Sequence, residues 1–472
     1  MFPRSPRLAA YLVAAAISLW FSYDLMRKPV QISDSLIELL DVQQSPSLYA
    51  TFVAHSPRGP FLRPLRQVQI KALFDAADGH YWLVFRGFHG LLLTAALFLF
   101  VGALRVGTWA DFAAAVFALT VLTGLHTFRG TVQEAFPINH FLEIVVFCLI
   151  ALNLAQSRGG WWIDAAAAVT FVIASLTLES GVLVWVIAVA AWACGMRGVS
   201  RRGIVAMTML MGAYLWFRLV YLSMGSPELE GRDSGWWTTM LLSDEIERRF
   251  GADPTWFYVY NVATSVLSVL FSEPDRGVFQ AARAWTRDAM LPRLYLSTLS
   301  SIITTGMIAW VAVGLVRGRT RNLPAGSTQF LMIFPVILIA NCVMAYPYAK
   351  REIITVAGAF YALAAFAAAQ HTIDRFRQPG RGLVQTAMCM VLCGVAVAWA
   401  VRSAGVHHMI QTQAFRERLE WARLDPDRLA DRTYRSDASA RALASQLRQE
   451  ALDVRIANPS RLPGWADRWW GE

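Results

Sequence analysis

VQISDSLIELLDVQQSPSLYATFVAHSPRGPFLRPLRQVQIKALFDAADGHYWL, residues 30–83, separates the first strongly apolar segment of the chain from the second. It carries Asp34, Glu38, Asp41, Arg63, Arg66, Lys71, Asp75 and Asp78, whereas the sequence around it is mostly apolar and helix-forming. Parts of the stretch are amphipathic. A long loop rich in ionisable residues, set on a rigid scaffold, is where function concentrates. The expectation is a membrane protein whose reactive groups lie here, on the face away from the cytoplasm.

Composition supports the scaffold. Of the 472 residues 56% are hydrophobic and only 16% charged, which excludes an ordinary soluble domain and a disordered chain. Mean hydropathy is +0.41. The apolar residues gather into runs long enough for a bilayer, which needs about twenty per helix. The net charge of +10 does not point to nucleic acid, because the arginines are scattered over short connections with no basic stripe among aromatics. Cys148, Cys194, Cys342, Cys389 and Cys393 all lie inside apolar runs and have no metal-ligand spacing, so neither a disulfide framework nor a zinc site is expected.

The fold class expected is all-α and polytopic, with about eleven spans near 8–25, 81–104, 109–125, 141–155, 161–178, 182–196, 204–224, 294–316, 330–346, 353–369 and 383–401. The first has a basic start and resembles a signal peptide, but it runs on into Trp20, Phe21 and Tyr23 and reads as an uncleaved helix. Residues 256–271 are apolar but short. Leaving them re-entrant or interfacial puts Arg4, Arg7, Arg105, Arg158, Arg197, Arg201, Arg202 and the arginine clusters at 317–321 and 375–381 on the cytoplasmic side. The opposite short loops then hold Arg129, Lys350 and Arg351, so the positive-inside bias selects this topology, with the N-terminus inside and the C-terminus outside. Four regions follow: residues 1–222 with the outer loop 26–80, an outer interval 223–292, spans within 293–402, and an outer helical tail 403–472. The tail reads as a small cap touching the membrane surface through Trp465, Trp469 and Trp470.

In this topology the ionisable residues at span ends collect on the outer side: Asp34, Glu38 and Arg63; Arg86 and His89; His126, Arg129, Glu134, His140 and Glu143; Glu179; and Lys350 with Arg351. Such groups are costly near lipid and are paired, hydrated or functional. Asp34 and Glu38 share a face if DSLIELL is helical. Asp34 then either caps an interfacial helix or serves as a general base. Glu179, in a short turn between apolar runs, is either a first-turn carboxylate or a lining group of an outer cavity. Arg63, Arg66, Arg86, Lys350 and Arg351 are candidates to clamp a phosphate or to contact headgroups. The histidines read first as satisfied polar groups rather than metal ligands.

The pieces SDSLIELL, FLRPLRQVQIKALFDAADGHYW and LTLESGVLVW, with an early Asp, a later Arg-Pro and an acidic residue in a short outer turn, resemble the GT-C superfamily of membrane glycosyltransferases. The resemblance covers roughly the first two hundred residues. It implies transfer of a sugar from a polyprenyl-phosphate-linked donor to an envelope glycan, lipid or protein, at the outer face of a bacterial inner membrane. It also implies Asp34 as base or metal ligand, with Glu38, Arg63, Arg86, His126, Glu134, His140, Glu179, Lys350 and Arg351 in substrate binding. Leu178 stands where some members have a Lys before the acidic residue. The first loop has no Asp-Asp or Asp-x-Asp pair, so a divalent cation is a candidate without a motif. A transporter or lipid flippase would place ionisable groups deep in several spans, and a non-catalytic assembly protein would depend on its tail; both are alternatives to the transferase.

Overall fold

The computed structural model describes residues 5–32, 34–55, 61–133, 137, 140–223, 233–251, 254–273, 276–318, 324–376, 382–424 and 438–454. The helices are, in order, α1 (Pro6–Leu25), α2 (Asp34–Gln43), α3 (Leu48–His55), α4 (Pro64–Ala77), α5 (Tyr81–Leu104), α6 (Trp109–Gly124), α7 (His126–Gln133), α8 (Phe141–Ala155) and α9 (Trp161–Thr177). A 3-10 turn (Glu179–Val182) leads into α10 (Leu183–Ala193), and α11 (Arg201–Trp216) ends in a π-turn (Phe217–Tyr221). An antiparallel hairpin, β1 (Ser234–Trp236) and β2 (Thr239–Leu241), is the departure from an all-helical chain. Then follow α12 (Ser243–Phe250), α13 (Thr255–Phe271), α14 (Gln280–Thr286), α15 (Pro292–Val316), α16 (Ala325–Met344), α17 (Thr355–Phe376), α18 (Gly382–Arg423) and α19 (Ala438–Asp453).

Seven helices are long and apolar enough to cross a membrane: α1, α5, α11 with its π-turn, α15, α16, α17 and α18. An eighth candidate is the pair α6 and α7, bent by 62°. The helices α8, α9, α10 and α13 are apolar but shorter. The chain is thus a predominantly helical, multi-pass type of membrane protein. At its centre lies α17, whose hydrophobic window is 89% buried. Its run of Ala and Gly lets α6 and α16 approach closely, as small residues do between membrane helices.

Helix α13 is tied along its length to neighbouring helices and turns. Asn261 Nδ2 donates to the Tyr346 and Pro347 carbonyls just past α16 (3.0 and 3.1 Å). Ser268 Oγ lies 2.6 Å from His126 Nε2 at the start of α7, and Ser272 Oγ lies 2.7 Å from Ser301 Oγ.

A second, smaller core forms outside the main bundle. It joins Leu36, Leu39 and Leu40 of α2, Ile70 of α4 and Phe85 of α5 to Trp421 of α18 and Leu443 and Leu447 of α19. The stretch at 30–83 and the C-terminal tail are therefore one body, and α19 packs on the loop helices. This differs from the expectation of a tail that caps the membrane surface; the C-terminal tryptophans lie outside the described residues. The boundary expected at 402 is also absent, because α18 runs unbroken for 42 residues. It contains no proline to stop it, and at about 1.5 Å per residue it is roughly twice as long as a hydrocarbon core is thick.

Polar groups fix this outer body. Lys28 Nζ and Glu417 Oε1 form an ion pair at 3.0 Å with both side chains 1% exposed, and Lys28 also donates to the Gln133 carbonyl. Trp421 Nε1 donates to the Val30 carbonyl at 2.6 Å. Glu450 Oε1 and Oε2 accept from the Tyr81 and Trp82 amides (3.0 and 3.2 Å), so α19 caps the start of α5. Burial pushes the Glu450 carboxyl above its ordinary range, against those two amides.

Removing one partner of a buried pair strands the other charge. Lys28→Met is expected to cost about 3–5 kcal/mol, and Lys28→Met with Glu417→Leu to recover most of it. Thermal unfolding in detergent, followed by tryptophan fluorescence, checks this; an unshifted midpoint for the single variant would show that the pair does not hold the outer body.

Candidate functional site

The site grows from the way α4 begins. Pro64 occupies its first turn, where a missing N–H costs nothing, and holds Arg63 just outside the helix at φ −132° and ψ 47°. On the opposite wall α9 stops at Leu178, in extended conformation, and the chain turns tightly through Glu179–Val182. Gly181 makes that turn possible: a Cβ there would lie 2.2 Å from the Ala174 carbonyl group. Glu179 is thereby aimed at Arg63.

The two form a forked pair. Arg63 Nε donates to both Glu179 oxygens (3.0 and 2.9 Å) and Nη2 donates to Oε2 at 2.6 Å. The side chains are 23% and 16% exposed. Both candidates singled out in the sequence thus meet, 116 positions apart. The pair engages the Nε–Nη2 edge of the guanidinium, which also lies over the Phe61 ring at 4.1 Å.

Beside it Arg66 Nη2 donates to Glu38 Oε1 at 2.6 Å, and Gln67 donates to Glu38 Oε2. Burial pulls the Arg66 guanidinium below its ordinary pKa, while Glu38, Glu179 and Asp34 pull the other way. The Nε of Arg66 and Oε1 of Gln67 are buried without a hydrogen-bond partner among the described residues. Asp34 opens α2 and is exposed, close enough for its charge to act on Arg66.

Below this layer His140 Nδ1 lies 2.7 Å from Glu143 Oε2, and Nε2 lies 3.1 Å from the Pro137 carbonyl. A carbonyl only accepts, so Nε2 carries a proton. Burial and the charges of Arg66 and Arg63 hold the imidazole well below its usual range. Gln69, with its amide nitrogen turned inward, donates to Glu143 Oε1 and Oε2 (2.9 and 3.1 Å). Gln67 and Gln69 were not chosen from the sequence as site residues; two glutamines two positions apart in α4 give no distinguishing signal by themselves.

The remaining candidates divide. Arg86 is 1% exposed and donates to the Lys28 and Pro29 carbonyls, just past α1. His126 is not in the Asp34 network but binds Ser268, and with Arg351 it lines a separate pocket. Arg351 Nε donates to Glu352 Oε1 at 3.0 Å, and Lys350 Nζ is 3.8 Å from Glu352 Oε2. Glu352, which the sequence reading passed over, packs against Gly130, where a Cβ would meet its Oε1 at 2.7 Å. Glu134 lies outside the described residues. Among the described residues no three His, Cys, Asp or Glu side chains converge to hold a metal ion.

The forked pair is expected to act as a unit. Arg63→Ala and Glu179→Ala should each destabilise the outer loop, with a coupling of about 0.5–3 kcal/mol in a double-mutant cycle. Limited proteolysis of the first outer loop measures it, and strict additivity would mean that the pair is not formed. Comparison with known proteins adds no relative: no protein-family profile, curated protein or solved structure matches the chain.

Proposed function

We propose that this chain is an integral membrane glycosyltransferase that moves a sugar from a polyprenyl-phosphate-linked donor to an envelope glycan, lipid or protein at the outer face of a bacterial inner membrane. The observation that carries the reading is the pairing of Arg63 with Glu179 beside the exposed Asp34. An exposed carboxylate lies within electrostatic reach of Arg66, in the same region as a guanidinium with one edge engaged by Glu179.

In this mechanism Asp34 takes the proton of the acceptor hydroxyl as its oxygen attacks the anomeric carbon. The bond from that carbon to the phosphate oxygen breaks, and its electron pair leaves with the polyprenyl phosphate. Inversion follows from the single displacement. The growing phosphate charge falls to Arg63 Nη1 and to Arg66, both pre-oriented by their carboxylate partners.

The topology that goes with it has eleven spans, an inside N-terminus and an outside C-terminus. Contacts between the body of residues 30–83 and the tail support an odd number of crossings, because the loop after the first crossing and the end of the chain touch. The bonds of α13 to the ends of α16 and α6–α7 support its lying across the outer face.

Loss of a general base typically costs 10²–10⁴ in rate, so Asp34→Asn is expected to leave less than about 1% of activity while the protein still folds. Mass spectrometry of envelope glycolipids and polysaccharides from a deletion strain, complemented with wild type or Asp34→Asn, checks this. Loss of one sugar that only wild type restores supports the transferase. Equal restoration by both proteins would remove Asp34 from the chemistry.

A further inference from the structure

A second polar feature lies apart from the Asp34 network and shares none of its residues. A pocket of about 120 Å³, well above the roughly 10–15 Å³ that admits one water, is walled by α6, α7, α15, α18 and the segments around α13 and α14. Four arginines line it, namely Arg129, Arg293, Arg351 and Arg402, each from a different part of the chain. The one carboxylate among the lining residues, Glu273, accepts from the Gln280 and Ala281 amides (2.9 and 2.5 Å) and so caps α14.

Arg402 is the telling member. It is 7% exposed and stacks on the Trp399 ring at 3.8 Å. Its donors go to the Gly124 carbonyl (3.1 Å), the Ser297 carbonyl (3.2 Å), Ser300 Oγ (2.9 Å), Ser301 Oγ (2.9 Å) and Ser272 Oγ (2.7 Å). Every acceptor is neutral. Among the described residues no carboxylate pairs with this buried cation, whereas the buried Lys28 is paired with Glu417. An unmatched buried charge within a bundle of apolar helices is costly, and an anion in the adjoining pocket offsets that cost. The rest of the wall is aliphatic, with Leu294, Leu296, Val406 and Met409.

We propose that this pocket binds the phosphate ester of a membrane lipid, with the guanidinium groups on the phosphate and the aliphatic wall along the first carbons of the chain. Guanidinium is suited to phosphate by its forked donors and weak hydration. A polyprenyl phosphate and a glycerophospholipid present the same chemistry here. The site stands independently of the transferase reading.

The test uses the full chain in detergent micelles and measures equilibrium binding of four probes: a polyprenyl phosphate, phosphatidylglycerol, the uncharged polyprenol and inorganic phosphate. Saturable binding of at least one phosphate lipid is expected, roughly tenfold or more tighter than polyprenol, and the stronger of the two names the source. Arg293→Gln should weaken it about tenfold, Arg293→Lys less, and Asp34→Asn not at all; melting curves without ligand identify any variant that fails to fold, in which case Arg129→Gln takes its place. Equal binding of polyprenol, binding of inorganic phosphate alone, wild-type binding by the folded arginine variants, or loss of binding in Asp34→Asn would each overturn the site. Should Asp34→Asn prove fully active while Arg293→Gln loses the lipid, the transferase reading fails and the phosphate site remains.

Discussion

The end of α1 is the constraint on which the outer half of the molecule depends. Lys28 meets Glu417 of α18 in a pair with almost no access to solvent, and the adjacent carbonyls of Lys28 and Pro29 are taken by Arg86 of α5. Three helices distant in sequence are thus pinned at one level, and Trp421 extends the joint to Val30. Such a pair adds little net stability compared with apolar residues of the same volume, because desolvation offsets the attraction. Its effect is on geometry: a carbonyl or a carboxylate left unmatched here is expensive, so alternative registers of α18 against the loop are disfavoured.

From that joint the loop helices reach across to the bundle. The small core of α2, α4, α5, α18 and α19 supplies the burial that an isolated loop of this length lacks. Arg63 and Glu179 then tie its far edge to the turn after α9. Two anchorages, one at Lys28 and one at Arg63, hold α2 between them. Asp34 is at its first turn, and so a residue exposed to solvent is still held in a defined place relative to Arg66.

Much of this was legible in the sequence, for identifiable reasons. Runs such as those of α5 and α15 are apolar over their whole length and declare themselves by composition. Arg63 and Glu179 stood out because each interrupts a context with little charge, one before a proline and one between apolar runs; their pairing is a long-range fact that no local pattern carries. The unbroken α18 was missed because polarity changes at Arg402 while helix propensity does not, and a change of solvent was taken for a change of structure. Arg86 is buried without a local signal. Its place in the first turns of α5 looks like a span end, but the burial of that end by α19 is made by residues 369 positions away. Glu352 and Arg402 gave no signal beside Lys350–Arg351 and an apolar helix.

Charge matching separates the outer face into two kinds of group. Glu38, Glu179, Glu352 and Glu417 each hold a basic partner, and the positions of Arg66, Arg63, Arg351 and Lys28 follow from them. Asp34 and Arg402 have no ion-pair partner among the described residues, and their surroundings differ. Asp34 is exposed to solvent at the first turn of α2. Arg402 is buried among serines, two carbonyls and a tryptophan ring, so an anion that enters from outside balances its charge best. An exposed base and a buried cation are suited to different tasks, proton removal and anion retention, and neither can take the place of the other.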